Sequence, residues 1–190
     1  YVMVHVYVPE AIRRAIRAGV KSIEHGQLID EPTMKLIAEK GVWLSMQPFI
    51  GEGNNHYTNP VQQAKHELVV QGTDRAYQLA KKYGVKLAWG TDLLFSPANA
   101  RNQNLNIEKM TRWFSNFEIL KMITHDNAEL LALSGRRNPY PGKLGVIEEG
   151  ALADLIVVDG NALEDIKVLT DPGKNMLLIM KDGKIYKNDL

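Results

Sequence analysis

Three residues have the types and the placement for metal chemistry: His5, His25 and Asp92. His5 lies in the apolar run Tyr1-Val2-Met3-Val4-His5-Val6-Tyr7, His25 in Glu24-His25-Gly26, and Asp92 in Gly90-Thr91-Asp92. Each position falls at or just after the C-terminal end of a strand-like segment. Neutral imidazole and carboxylate suit zinc and similar divalent ions. Singly, each has another reading. His5 fits a hydrogen-bonded core histidine. His25 marks a strand breaking into a loop, with Gly26 leaving room beside the ring. Asp92 fits a helix cap or an Asx turn. Together, two imidazoles and a carboxylate at the same end of neighbouring strands can converge on one point. A metal held there polarises a carbonyl and lowers the pKa of bound water toward neutrality. A carboxylate beside that water takes its proton and hands it to a leaving amine. The chemistry is metal-assisted hydrolysis, with Asp92 as the base.

Further side chains are candidates for substrate contact. Tyr7 is two residues beyond His5, so a strand puts both on one face. It either hydrogen-bonds a substrate carboxylate or carbonyl, or packs at the sheet rim. Arg101, in the stretch after Asp92, is either a bidentate clamp for a carboxylate or a surface arginine. His56 lies in the Gly- and Asn-rich stretch 51–59, long enough for a lid or specificity loop. It approaches substrate or is a polar loop residue. Gln47 lines a pocket or is a polar loop residue. His66, between Lys65 and Glu67, reads as solvent-facing, and His125 as a structural hydrogen-bonder. Trp43, Trp89 and Trp113 read as packing, since no basic groove accompanies them.

The elements that must position these groups alternate in type. Val2–Val8, Val20–Ile23, Val42–Met46 and Val85–Trp89 read as strands. Helices are expected from Pro9 to about Ala18, from an Asp30 cap to Lys40, over Val61–Tyr83 and over Phe117–Leu133. Gly19, Gly41, Gly84 and Gly135 act as stops. This rhythm predicts βα units and a parallel sheet. A half of an eight-stranded βα barrel accounts for it, and so does a small doubly wound sheet. The barrel reading gains from the polar residues, which sit on the rim where barrels keep their chemistry. After Asn138-Pro139-Tyr140-Pro141-Gly142 the pattern changes to short strands, at Ala153–Val158, Met176–Met180 and Lys184–Tyr186. The expected division is therefore 1–138 for the barrel half and 139–190 for part of a small β-sandwich.

Composition narrows the function classes. With 23 Lys+Arg against 22 Asp+Glu, nothing points to nucleic acid or to an anionic membrane. The absence of cysteine removes disulfides, thiolate metal sites and a Cys nucleophile, leaving His, carboxylate and water as ligands. It fits the cytoplasm and is equally compatible with export. No apolar stretch is long enough to cross a bilayer. The first residues read as a buried strand with no initiator Met or leader, so sequence is expected upstream and localisation stays open.

His5-Val6-Tyr7, Glu24-His25-Gly26 and Gly90-Thr91-Asp92 resemble, in order and context, the fifth, sixth and eighth barrel strands of the amidohydrolase superfamily. Val42–Pro48 then stands for the seventh. Thr124–Leu131 is similar to the helix after the eighth strand. Leu144–Val158 and Met180–Tyr186 are similar to the family's small β-sandwich. The resemblance covers essentially the whole chain and is nearest to the imidazolonepropionase-like and Xaa-Pro dipeptidase-like branches. It implies the C-terminal half of a TIM-like (β/α)8 barrel with one or two divalent metal ions, usually zinc. His5 and His25 would bind the more exposed ion. Asp92 would bind the buried one and carry the proton. The family's His-x-His pair and carboxylated lysine cannot be placed in this chain. The isolated chain is therefore expected to be truncated and inactive alone. The parent would cleave an amide or other C–N bond in a small molecule such as a dipeptide, N-acyl amino acid or cyclic amide. The alternative is a non-catalytic remnant that binds a ligand or partner. Either reading predicts a homo-oligomer or pairing with a missing N-terminal half.

Overall fold

The computed structural model describes residues 1–50, 57–93 and 97–190. The chain forms two compact units, Tyr1–Gly90 and Thr91–Leu190. The division expected at 138/139 lies inside the second.

In the first unit, β1 (Met3–Val6), β2 (Ser22–His25), β3 (Trp43–Met46) and β4 (Leu87–Trp89) form a parallel sheet in sequential order. The connections carry α1 (Pro9–Arg17), α2 (Glu31–Lys40) and α3 (Pro60–Lys82). Proline opens all three helices, where its missing N–H belongs to a group without an intrahelical acceptor. Asp30 caps α2 as expected, accepting from the Thr33 amide at 2.9 Å. Arg13 of α1 reaches both Asp30 (3.3 Å) and Thr33 (2.6 Å). Burial pushes the Asp30 carboxyl up, but Thr33 and Arg13 outweigh it and hold it below its ordinary value. Asn59 caps α3 by accepting from the Val61 and Gln62 amides. Gly41 closes α2 in the left-handed conformation, φ 61.

Register divides the sheet into two faces. Met3, His5, Ser22, Glu24, Trp43, Ser45 and Ala88 share one, on which the Ser22 hydroxyl donates to Glu24 at 2.5 Å. Val4, Val6, Ile23, Leu44 and Leu87 share the other; of these Val6, Ile23, Leu44 and Leu87 are buried, as are Ile12, Ile16, Met34, Ile37, Ala76, Tyr77 and Ala80 of the helices. All of β3 is buried. Tyr1, Val2 and Met3 are 40%, 63% and 51% exposed in this chain, where β1 pairs with β2 alone.

The second unit contains short helices α4 (Pro97–Ala100), α5 (Leu105–Lys109), α6 (Asn116–Lys121) and α7 (Asn127–Ala132). A π-helical turn, Met122–Asp126, joins α6 to α7 where one continuous helix was expected. Strands β5 (Leu155–Val158), β6 (Met176–Lys181) and β7 (Lys184–Asn188) make an antiparallel sheet in that order, with α8 (Pro172–Asn175) between β5 and β6. Ser115 and Glu118 form a reciprocal capping box at the start of α6. Asn104 and Asn116 side chains donate to the Leu169 and Leu163 carbonyls, tying the helices to the segment before β6. Among the described residues no helix is long and apolar enough to cross a membrane.

Candidate active site

Parallel pairing places the C-terminal ends of β1 to β4 along one edge of the first unit. His5 is on β1 and Tyr7 follows it by two residues. Their rings stand edge to face, 5.2 Å between centroids. His25 ends β2. In an uninterrupted strand it would share the face of Ile23, which is fully buried among the apolar residues. Its φ of 78° breaks that alternation. The ring lies instead 4.4 Å from His5, edge to face, and 4.8 Å from Tyr7, stacked with 10° between planes.

Left-handed backbone at a residue with a Cβ costs on the order of 1–3 kcal/mol. Two aromatic contacts at about 0.5–1.5 kcal/mol each and one buried hydrogen bond at about 1 kcal/mol are of the size needed to hold it. The hydrogen bond joins His25 Nδ1 to Gln47 Oε1, 2.7 Å away, just past β3. Gly26 continues the left-handed turn at φ 72, and a Cβ there would meet Leu44 Cδ1 at 2.8 Å. Its amide donates to the Val6 carbonyl at 3.0 Å, binding the turn to β1.

His5 is exposed in this chain and His25 is buried. Asp92 follows β4 as the second residue of the second unit, exposed, with φ 51. Asp tolerates this region better than most residues. Arg101 is exposed in the turn between α4 and α5. His56 lies outside the described residues. His66 is half-buried, its ring 5.3 Å from that of Tyr57. His125 Nδ1 is 2.9 Å from Asp126 Oδ1, the hydrogen-bonding role expected for it.

Sequence reasoning left Gln47 between pocket and loop and did not single out Gln27. Both are buried, 5% and 1% exposed, and both join the His25 network. Their spacing of 20 residues gave no signal, because the contact is made across strand ends.

Two adjacent imidazoles are a fitting donor pair for a divalent metal. A catalytic zinc takes three protein ligands, so the pair supplies part of a set. Among the described residues no three of His, Asp and Glu form a group that could hold an ion.

The sequence model of the amidohydrolase family matches residues 1–186. The ochratoxinase of Aspergillus niger is 33% identical over 190 residues, covering 98% of this chain and 38% of that protein. A crystal structure of a prolidase complexed with N-methylphosphonate-L-proline superposes with a TM-score of 0.85 at 34% identity, over 99% of this chain and 45% of its own. A Xaa-Pro dipeptidase crystallised with methionine in its active site gives 0.82 at 31%, again over 99% and 45%. The chain thus spans less than half the length of these relatives. Their structures share its mixed α/β fold.

Proposed function

The chain belongs to the amidohydrolase family, and on that premise we propose that its protein is a metal-dependent hydrolase of amide or related C–N bonds in small molecules. Residues 1–138 are read as the C-terminal half of a TIM-like barrel, and 139–190 as part of a composite β-sandwich. The substrate class is an amide whose amine side is an amino acid, such as a dipeptide or an N-acyl amino acid. A prolidase holding a proline phosphonate and a Xaa-Pro dipeptidase among the similar structures support that choice. Cyclic amides remain the neighbouring class.

One observation carries the reading: His5, Tyr7 and His25 meet at the C-terminal edge of β1 and β2. His5 and His25 are the chain's donors to a divalent metal, zinc first, with one or two ions in the complete site. When bound, such an ion polarises a carbonyl and acidifies water. Tyr7 offers a hydroxyl to the substrate's carboxylate or carbonyl, and Arg101 and His56 are further candidates for binding it. Asp92 takes a proton from the attacking water and delivers it to the leaving nitrogen.

A second reading is a non-catalytic half-barrel that pairs with another chain or with the rest of its own. Exposed Tyr1, Val2 and Met3 on an edge strand favour it, as do exposed Leu155, Ile156 and Val157 on β5.

The test is hydrolysis of Xaa-Pro dipeptides and N-acyl amino acids by the complete protein, with zinc, after chelation, and in a His5→Ala, His25→Ala double variant. Turnover should vanish on chelation, return with zinc, and stay absent in the double variant. Turnover that survives both treatments would sink the proposal. A protein that binds no zinc and cleaves neither class moves the second reading to first place.

A further inference from the structure

The buried amides beside His25 bear on which of its nitrogens carries the proton. The sense of the network can be read from one group that has no choice. The Gln47 main-chain carbonyl only accepts hydrogen bonds. The side-chain amide of Gln27 faces it at 3.5 Å, so the group presented there is the NH₂. That same NH₂ faces the Gln47 side chain at 3.4 Å, so the atom it meets is Oε1. Oε1 also lies 2.7 Å from His25 Nδ1. An oxygen that already accepts from Gln27 has nothing to donate, and the proton of that contact belongs to Nδ1.

Reversing the Gln47 amide would set its NH₂ against that of Gln27. Reversing both would turn the Gln27 oxygen toward the Gln47 carbonyl, oxygen against oxygen. Gln27 is fully buried, and its own main-chain carbonyl is packed so closely by α3 that a Cβ at Gly72 would stand 2.3 Å from it. The relay therefore starts from a residue whose backbone is braced, although its Oε1 is buried without a partner among the described residues.

We propose that Gln47 is a positioning residue that holds His25 as the Nδ1–H tautomer and so directs the free Nε2 lone pair to a metal. The inference rests on the functional reading above for the metal, though not for the tautomer. A metal-binding histidine with its second nitrogen held in this way keeps its ring orientation and its basicity. Gln47→Leu removes the acceptor and releases the ring to rotate or change tautomer. Gln47→Glu keeps an acceptor oxygen at the same reach.

The experiment is long-range ¹H–¹⁵N correlation on the metal-stripped complete protein with ¹⁵N-labelled histidine, recorded above the imidazole titration range. His25 is assigned from its loss in His25→Gln. Wild type and Gln47→Glu should show the Nδ1–H pattern, and Gln47→Leu should move toward Nε2–H. Zinc competition should then show affinity weakened about 10- to 100-fold in Gln47→Leu and recovered in Gln47→Glu. An Nε2–H pattern in the wild type overturns the inference even if no variant folds. So does a folded Gln47→Leu protein with an unchanged tautomer. If the tautomer follows Gln47 but no zinc reaches His25, the relay stands and the metal reading falls.

Discussion

The Tyr7 ring lies parallel to the His25 ring, 10° between planes and 4.8 Å between centroids, while the His5 ring stands steeply inclined to both. Tyr7 therefore does two things at once. Its ring is part of what holds a strained histidine in place, and in the proposed reading its hydroxyl serves the substrate.

The two roles separate by substitution. Tyr7→Phe keeps the ring and removes the hydroxyl. In the complete protein KM should rise about tenfold, the scale of one hydrogen bond to a charged group, with zinc content unchanged. Tyr7→Ala should lose zinc affinity as well, because the stack on His25 goes. Equal zinc loss in both variants would show that the hydroxyl matters to the site and not to substrate.

Asp92→Asn tests the proton carrier. Asparagine keeps the size and the left-handed backbone preference of Asp at φ 51. It cannot take a proton. Turnover of the complete protein should fall on the order of 10²- to 10⁴-fold, the usual scale for a positioned acid–base group. Near-normal turnover would remove Asp92 from that role.

How far the sequence revealed this depends on the range of each contact. Strand and helix order, the Asp30 cap and the Gly41 stop are local signals, and they are legible because one residue type does one job within a turn of chain. Helices α4 and α5 fall in a stretch whose sequence reads as loop, since four or five residues are too few for a helical period to show. The π turn between α6 and α7 was hidden too. There the Thr124 hydroxyl donates to the Leu120 carbonyl at 2.7 Å, competing with the regular ladder in a way apolar spacing does not encode. His5 and His25 were visible as types at strand ends. Gln47 reads from sequence only as pocket lining or loop and Gln27 gives no signal, because their contact depends on an orientation set across strand ends.

Gly72→Ala should destabilise, against its local preference. In an open helix that change gains roughly 0.5–1 kcal/mol. Here the new Cβ would sit 2.3 Å from the Gln27 carbonyl oxygen and 3.1 Å from Leu28 Cδ2, so α3 must move off the turn after β2. Overpacking of this kind costs about 1–3 kcal/mol. Urea denaturation followed by fluorescence should show a lower midpoint than wild type. A raised midpoint would mean that α3 is not pressed on this turn.

Glu31 gives a pH-dependent link between α2 and α3. Hydrogen bonds from Lys82 (2.7 Å) and from the Tyr83 hydroxyl, with the Lys82 charge, bring its carboxyl down to about 2 from an ordinary 4.5. A group depressed on folding stabilises fully above its unfolded value, and its contribution is lost as pH falls through the folded one. The window is thus from about 4.5 down to about 2. The pair is exposed, so salt screens it and the effect is small. The difference in melting temperature between wild type and Glu31→Gln should be positive and flat above that window and shrink through it. High salt should flatten the whole curve. A difference that stays constant through the window, or grows as pH falls, would show that the carboxylate does not hold the two helices together.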